Sequence, residues 1–266
     1  LYNRFGVHID FAYQTFKWNS EAKEKAAVHC IIVGYSSSPS ENLKKLFTSS
    51  NNLELVENIT PYLLPGKTIF VESLKKPIGN VSPMYFGSKP TDGGFFFLTP
   101  EQKEYFINKE PQSANYIRRV LGAQEYINNI ERYCLWLVDI TPEELKKSPL
   151  IYERVRQVRE FRLASKAEST RKFADRPTEF KQNAQPTSPY LIVPRVSSEN
   201  RRYVPIGYIA PDVIATDATQ IVPNASLYEF GIITSNVHMA WMRTVAGKLK
   251  SDYRYSSTIV YNTFPW

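Results

Sequence analysis

Residues 27–35, Ala27-Val28-His29-Cys30-Ile31-Ile32-Val33-Gly34-Tyr35, form the most sustained apolar run in the chain, and much of it is β-branched. Such a run fits a strand buried on both faces. It falls well short of the roughly 20 residues that span a bilayer, so no membrane segment is expected. Upstream, Val7-His8-Ile9-Asp10-Phe11-Ala12-Tyr13-Gln14 opens a second strand over residues 7–17. The polar connection Trp18-Asn19-Ser20-Glu21-Ala22-Lys23-Glu24-Lys25 makes the two a hairpin. Ser36-Ser37-Ser38-Pro39-Ser40 then punctuates the chain and predicts a domain boundary, giving units 1–38 and 39–266.

Beyond it, strands are expected at Leu53 to Ile59, Thr68 to Val71, Tyr116 to Val120, Arg132 to Val138, Tyr190 to Val196, Tyr203 to Ile209 and Ala218 to Val222. A helix should follow Thr99-Pro100, over Glu101 to Asn108. A second starts at Thr141-Pro142-Glu143-Glu144, with Pro at the first helical position and acids in the first turn. Two more should run from Pro149 to Ala174 and from Ser235 to Lys248, the latter followed by a Tyr-rich strand. The predicted class is α+β.

Thirty-three Lys and Arg against 26 Asp and Glu give a net charge of +7. That fits one basic face toward a polyanion, and equally an ordinary basic protein. Cys30 and Cys134 lie in apolar runs and read as buried reduced thiols of a cytoplasmic protein. His8, His29 and His238 lack close ligand spacing with them, so no metal site is expected. No signal peptide is visible, and the chain runs from Leu1, without a Met, to Trp266. We expect a piece of a longer protein.

Three stretches carry candidate chemistry. Near the end, Lys248, Lys250, Asp252 and Arg254 alternate with Tyr253 and Tyr255. Lys can donate to guanine O6/N7 and Asp can accept from cytosine N4. On an extended segment Lys250 and Asp252 would point the same way, with Ser251 pointing away. A solvated Tyr-rich strand is the plainer alternative. Between Tyr152 and Lys172, helical spacing puts Arg159, Arg162 and Lys166 on one face, suited to a phosphate backbone. Glu153, Glu160 and Glu168 make a solvated face the alternative. The turn from Pro194 to Tyr203 offers Arg195, Arg201 and Arg202 for phosphates or a groove. His238 lies in an apolar helix without a partner acid and reads as a core or capping residue.

Six motifs then occur in order along nearly the whole chain: Thr15-Phe16-Lys17-Trp18; Ala27 to Gly34; Gly87-Ser88-Lys89-Pro90-Thr91-Asp92-Gly93-Gly94; Arg132-Tyr133-Cys134-Leu135-Trp136-Leu137; Thr234-Ser235-Asn236-Val237-His238-Met239-Ala240-Trp241; and Tyr253-Arg254-Tyr255-Ser256 with Tyr261-Asn262-Thr263-Phe264-Pro265-Trp266. The set resembles the MmeI-like restriction–modification family, in which a DNA methyltransferase is fused to a target-recognition domain. The resemblance implies closing strands of a methyltransferase sheet in residues 1–38 and a mixed α/β recognition domain in 39–266. It implies double-stranded DNA as partner. It gives Phe16 or Trp18 the stacking of a flipped adenine, with core packing as the alternative for Phe16. It makes Lys250 with Asp252, Arg195 and Asp217 base readers, the Lys/Asp pair resembling a guanine-reading version. Arg159, Arg162, Lys166, Arg201, Arg202, Lys248 and Arg254 become phosphate contacts. The family's Asn-Pro-Pro-Tyr/Phe tetrapeptide and Gly-x-Gly cofactor loop lie upstream of this region, and neither occurs here. We expect S-adenosylmethionine in the parent enzyme, none in this fragment, and no catalysis by the fragment alone. A protein-interaction or RNA-binding module remains the alternative.

Overall fold

A computed structural model describes residues 2–18, 28–50 and 52–266. After a helical turn, α1 (Tyr2–Phe5), strands β1 (His8–Trp18) and β2 (Val28–Ser36) pair antiparallel as the sequence predicts. The polar connection between them lies outside the described residues. The chain then re-enters the same sheet: β3 (Lys44–Phe47) runs parallel to β1, and β4 (Leu53–Val56) pairs with β3. The order β2-β1-β3-β4 leaves β2 at an edge. Edge position explains why β2 is not covered on both faces: Ile31, Ile32 and Tyr35 are 54%, 44% and 55% exposed. Where the sheet is covered, Ile9, Ala12 and Leu46 are buried against Ile59, with Val33 of β2 packed beside them. Residues 68–71, expected as a strand, form none.

The remaining chain builds three more sheets and three further cores. Short strands β5 (Tyr85–Phe86) and β6 (Phe97–Leu98) precede α2 (Pro100–Lys109). Thr99 caps α2 with a reciprocal Gln102 bond, the capping box its sequence implies. Then come β7 (Ile117–Leu121), α3 (Ala123–Asn128) and β8 (Tyr133–Leu135). α3 fills the segment between the two strands expected at Tyr116 to Val120 and Arg132 to Val138, and Asn129 ends it at φ +51°. α4 (Pro142–Lys146) starts at its Thr141 cap as predicted. α5 (Pro149–Leu163) is shorter than expected; the chain turns at Ala164 before α6 (Glu168–Lys172). β6, β7, β8 and β12 (Ile214–Ala215) form one sheet, and Phe96, Leu98, Val120 and Leu135 pack there with Ile151, Val155 and Val158 of α5.

The central strand is β9 (Tyr190–Pro194), flanked by β11 (Gly207–Ile209) and β13 (Thr219–Pro223), with β5 beyond. All of β9 is buried because its two faces serve different cores. Leu191 and Val193 meet α7 (Leu227–Ile233) and α8 (Asn236–Val245), while Tyr190 and Ile192 meet Leu121 and Ala215. Gly87 lets two sheets approach: a Cβ there would lie 2.4 Å from Thr216 O. Ser88 N donates to Ala215 O and Asp217 N returns a bond to Ser88 O.

The last polar segment is a hairpin and not one strand. β14 (Gly247–Leu249) and β15 (Asp252–Arg254) pair antiparallel, and β10 (Val196–Ser197) adds on the other side of β15. Leu249 opposes Asp252, which leaves Lys250 and Ser251 as the turn.

Candidate nucleic-acid interface

Antiparallel pairing of β10 with β15 sends the 198–203 loop and the 250–251 turn off the same end of this small sheet. Lys250, Arg201 and Arg202 are exposed there and Asp252 is half-buried. Asp252 Oδ1 accepts from Glu199 N at 3.3 Å, tying the two loops together. Among the described residues, its other carboxylate oxygen makes no hydrogen bond. The strand alternation expected of Lys250 and Asp252 does not apply, since Lys250 occupies the turn at φ +58°. A left-handed backbone conformation of this kind costs a non-glycine residue about 1–2 kcal/mol. Arg202 stacks on Tyr203, its guanidinium 5.3 Å from the ring centroid.

The opposite end of the sheet holds Arg254 and Arg195. Tyr255 N donates to Arg195 O, and the Arg195 side chain donates to Asp217 O at 2.9 Å. Its guanidinium also lies 4.6 Å from the Phe86 ring centroid. Arg195 and Asp217, distant in sequence, are therefore neighbours, with the Arg195 guanidinium over an aromatic ring. On β14, Lys248 Nζ sits 5.2 Å from the Tyr253 ring.

Behind the hairpin, buried His238 shares a 2.7 Å hydrogen bond between Nε2 and the Tyr255 hydroxyl, and its backbone N–H bonds the Ser235 cap. Burial lowers its pKa to about 4, as a core histidine should show. Burial likewise raises the Tyr255 hydroxyl.

The basic helix divides. Arg159 is exposed on α5, and Lys166 lies past its end at Leu163. Arg162 is a correction to the backbone-contact expectation: it is 0% exposed. It donates to the carbonyls of Pro90, Thr91, Phe173, Arg176 and Glu179. The reason is register: Ile151, Val155, Val158 and Arg162 share the buried stripe of α5. Burial lowers its pKa to about 10, opposed by Asp92 and Glu179, so it stays charged at neutral pH. Among the described residues, no hydrogen bond or ion pair joins α5 to the hairpin.

On the first sheet, Phe16 and Trp18 lie 6.2 Å apart between ring centroids, tilted by 48°. Trp18 is 55% exposed. With Tyr13 and Ile32 they line an apolar recess of about 410 Å³. A neighbouring cleft of about 490 Å³ is polar, lined by Thr15, His29, Glu199, Arg243, Lys248 and Tyr253 among others. Gln14 and Ser49 border both. Arg243 was missed because it ends an apolar helix read as core; its basic charge in the last turn of α8 was the available signal. Cys134 is buried, Cys30 half-buried, and both are free. Among the described residues, no cluster of His, Cys, Asp or Glu could hold a metal, and no helix is long and apolar enough to cross a membrane.

Comparison with known proteins agrees along the chain. A family model described as the MmeI target recognition domain matches residues 65–266, and one for the MmeI DNA-methyltransferase domain matches residues 1–48. DNA methyltransferase A of Bacillus subtilis (strain 168) is 41% identical over 262 residues, covering 98% of this chain and 30% of that protein. A solved structure of the Type IIL restriction–modification enzyme MmeI in complex with DNA superposes with a TM-score of 0.91 at 43% identity, covering 98% of this chain and 35% of that one. The chain thus spans about a third of the length of these relatives. It belongs to the MmeI target recognition domain family, joined at its start to a stretch of the MmeI methyltransferase domain.

Proposed function

We propose that this chain recognises a specific site in double-stranded DNA, as part of an S-adenosylmethionine-dependent N6-adenine methyltransferase of a restriction–modification system acting in the cytoplasm. One observation carries the reading: the small sheet presents Lys250, Asp252, Arg201 and Arg202 at one end and Arg195, Asp217 and Arg254 at the other. Acceptors and forked donors along one short sheet suit base edges, and the flanking cations suit phosphates. The related MmeI structure, solved with DNA, supports the same partner. In this reading Lys250 donates to guanine and Asp252 accepts from its paired cytosine. Arg195 and Asp217 read a second position. Arg201, Arg202, Lys248, Arg254, Arg159 and Lys166 meet phosphates.

The Phe16–Trp18 recess suits a flipped base, which needs an aromatic face once it leaves the stack. The residues present do not fit the cofactor. Gln14, the amide beside the recess, spends Nε2 on Leu63 O and Oε1 on Ser49 N. No Gly-x-Gly turn occurs. The cofactor would be held by other parts of the parent. We place the division between the two portions after β4, between residues 56 and 65, since β3 and β4 complete the first sheet.

The test is duplex affinity as a function of salt. Counterion release predicts a log–log slope of about −0.9 per phosphate contacted. A flat dependence would favour a protein-interaction module, and a preference for single strands would favour RNA.

A further inference from the structure

We propose that the polar cleft between the first sheet and α8 binds one phosphodiester of the strand whose base enters the Phe16–Trp18 recess, with Arg243 and Lys248 as its cationic partners. This rests on the duplex-recognition reading above. The two cavities open side by side, sharing Gln14 and Ser49, and their chemistry is opposite. A nucleotide divides in the same way, into an apolar base and a charged phosphate.

Arg243 reaches the cleft from the last turn of α8. One of its terminal nitrogens donates to Arg202 O, which fixes the side chain and leaves other guanidinium donors for an anion. Lys248 enters from the edge strand β14 beside Tyr253. Among the described residues, neither cation has a carboxylate within ion-pair distance. Glu199 also lines the cleft, so two cations face one acid and the balance favours an anion. From the opposite wall, His29 contributes a ring Nδ1 that is shielded from solvent and, among the described residues, has no hydrogen-bond partner. It is a polar group left over for a ligand.

Neutral methylphosphonate links, introduced one at a time along the target strand, locate the contact. At one link near the methylated base, affinity for the protein should fall about 10- to 100-fold, the scale of one charge-assisted hydrogen bond. At that link, Arg243→Gln should show no further loss. Glutamine can still donate to Arg202 O, so the melting temperature reports whether the fold survives. Should Arg243→Gln fail to fold, Lys248→Gln, on an exposed edge, carries the same expectation. If every neutral link weakens the variants as much as the parent, the cleft assignment is overturned and duplex recognition stands. If the protein has no duplex affinity at any salt concentration, both fall.

Discussion

Arg162 and Lys250 show how the same residue chemistry takes opposite roles according to position. Five carbonyls surround the Arg162 guanidinium. Arg162→Met would strip all five of this donor, leaving Pro90, Phe173 and Arg176 with one backbone N–H each, and we expect a loss on the order of 3–5 kcal/mol by denaturant unfolding. Arg162→Lys should rescue little, because one ammonium cannot span the fork. Arg159→Ala should leave stability within about 0.5 kcal/mol and lower the salt slope of duplex binding by about 1. A salt slope that stays unchanged in that variant would remove Arg159 from the phosphate contacts. At the hairpin tip, Lys250 holds a left-handed φ that no turn-favouring side chain justifies. Strain of this kind persists where geometry serves a function. Lys250→Gly should therefore keep or raise stability while losing discrimination at one base pair. The exchange Lys250→Glu with Asp252→Arg should switch that pair in the methylated site from G to C, since each good contact is worth about 1–3 kcal/mol of discrimination. An unchanged site in the sequenced products would refute the pair reading.

Elements behave as units through their buried links, and α8 with β15 is the clearest case. Their link is the His238–Tyr255 hydrogen bond inside an apolar core. The unfolded chain takes up a proton at His238 near pH 6.5, while the fold resists protonation down to about 4. The folded pKa is depressed, so the contribution is complete above about pH 6.5 and is lost as pH falls toward 4. At about 1.4 kcal/mol per unit, the loss is on the order of 3–4 kcal/mol. His238→Gln should flatten the pH dependence of unfolding free energy across that window; an equal slope in both proteins would place the titration elsewhere. The histidine itself was legible, because an apolar helix without a partner acid admits few other readings. The hairpin beside it was not. Lys250 and Ser251 carry none of the Gly, Asn or Asp signal that marks a two-residue turn. The alternation of Tyr253, Arg254 and Tyr255 therefore looked continuous with β14. Arg162 was misplaced for a related reason: its spacing to Arg159 is helical, but its spacing to Ile151, Val155 and Val158 is helical too. Only the second stripe lies against a core.

At the scale of the whole molecule, the first sheet and the hairpin face each other across the polar cleft, and the apolar recess opens beside it on the first sheet. The long strands of that sheet were readable from their apolar runs. The strand expected from Leu53 was read and appears as β4, but its attachment to that sheet through β3 was not, because the four-residue β3 pairs by register with distant β1 and has no local signature. In the proposed reading the arrangement separates two jobs, docking on the duplex and holding a displaced base. Docking would use cations and base readers spread over the hairpin and its loops. Holding the base would fall to Phe16 and Trp18, 6.2 Å apart and partly open to solvent. Stacking on one aromatic face is worth about 1–3 kcal/mol per base and acts after the duplex has docked. In the full-length enzyme, Trp18→Ala should therefore cut methylation by about 5- to 100-fold while changing duplex affinity little. Trp18→Phe should restore most of the rate, since an aromatic face is what the base requires. Phe16 has more packing to lose, so its Leu variant is the matching probe there. Methylation rate and duplex affinity falling together in Trp18→Ala, with a lowered melting temperature, would mean that the ring supports the sheet and holds no base.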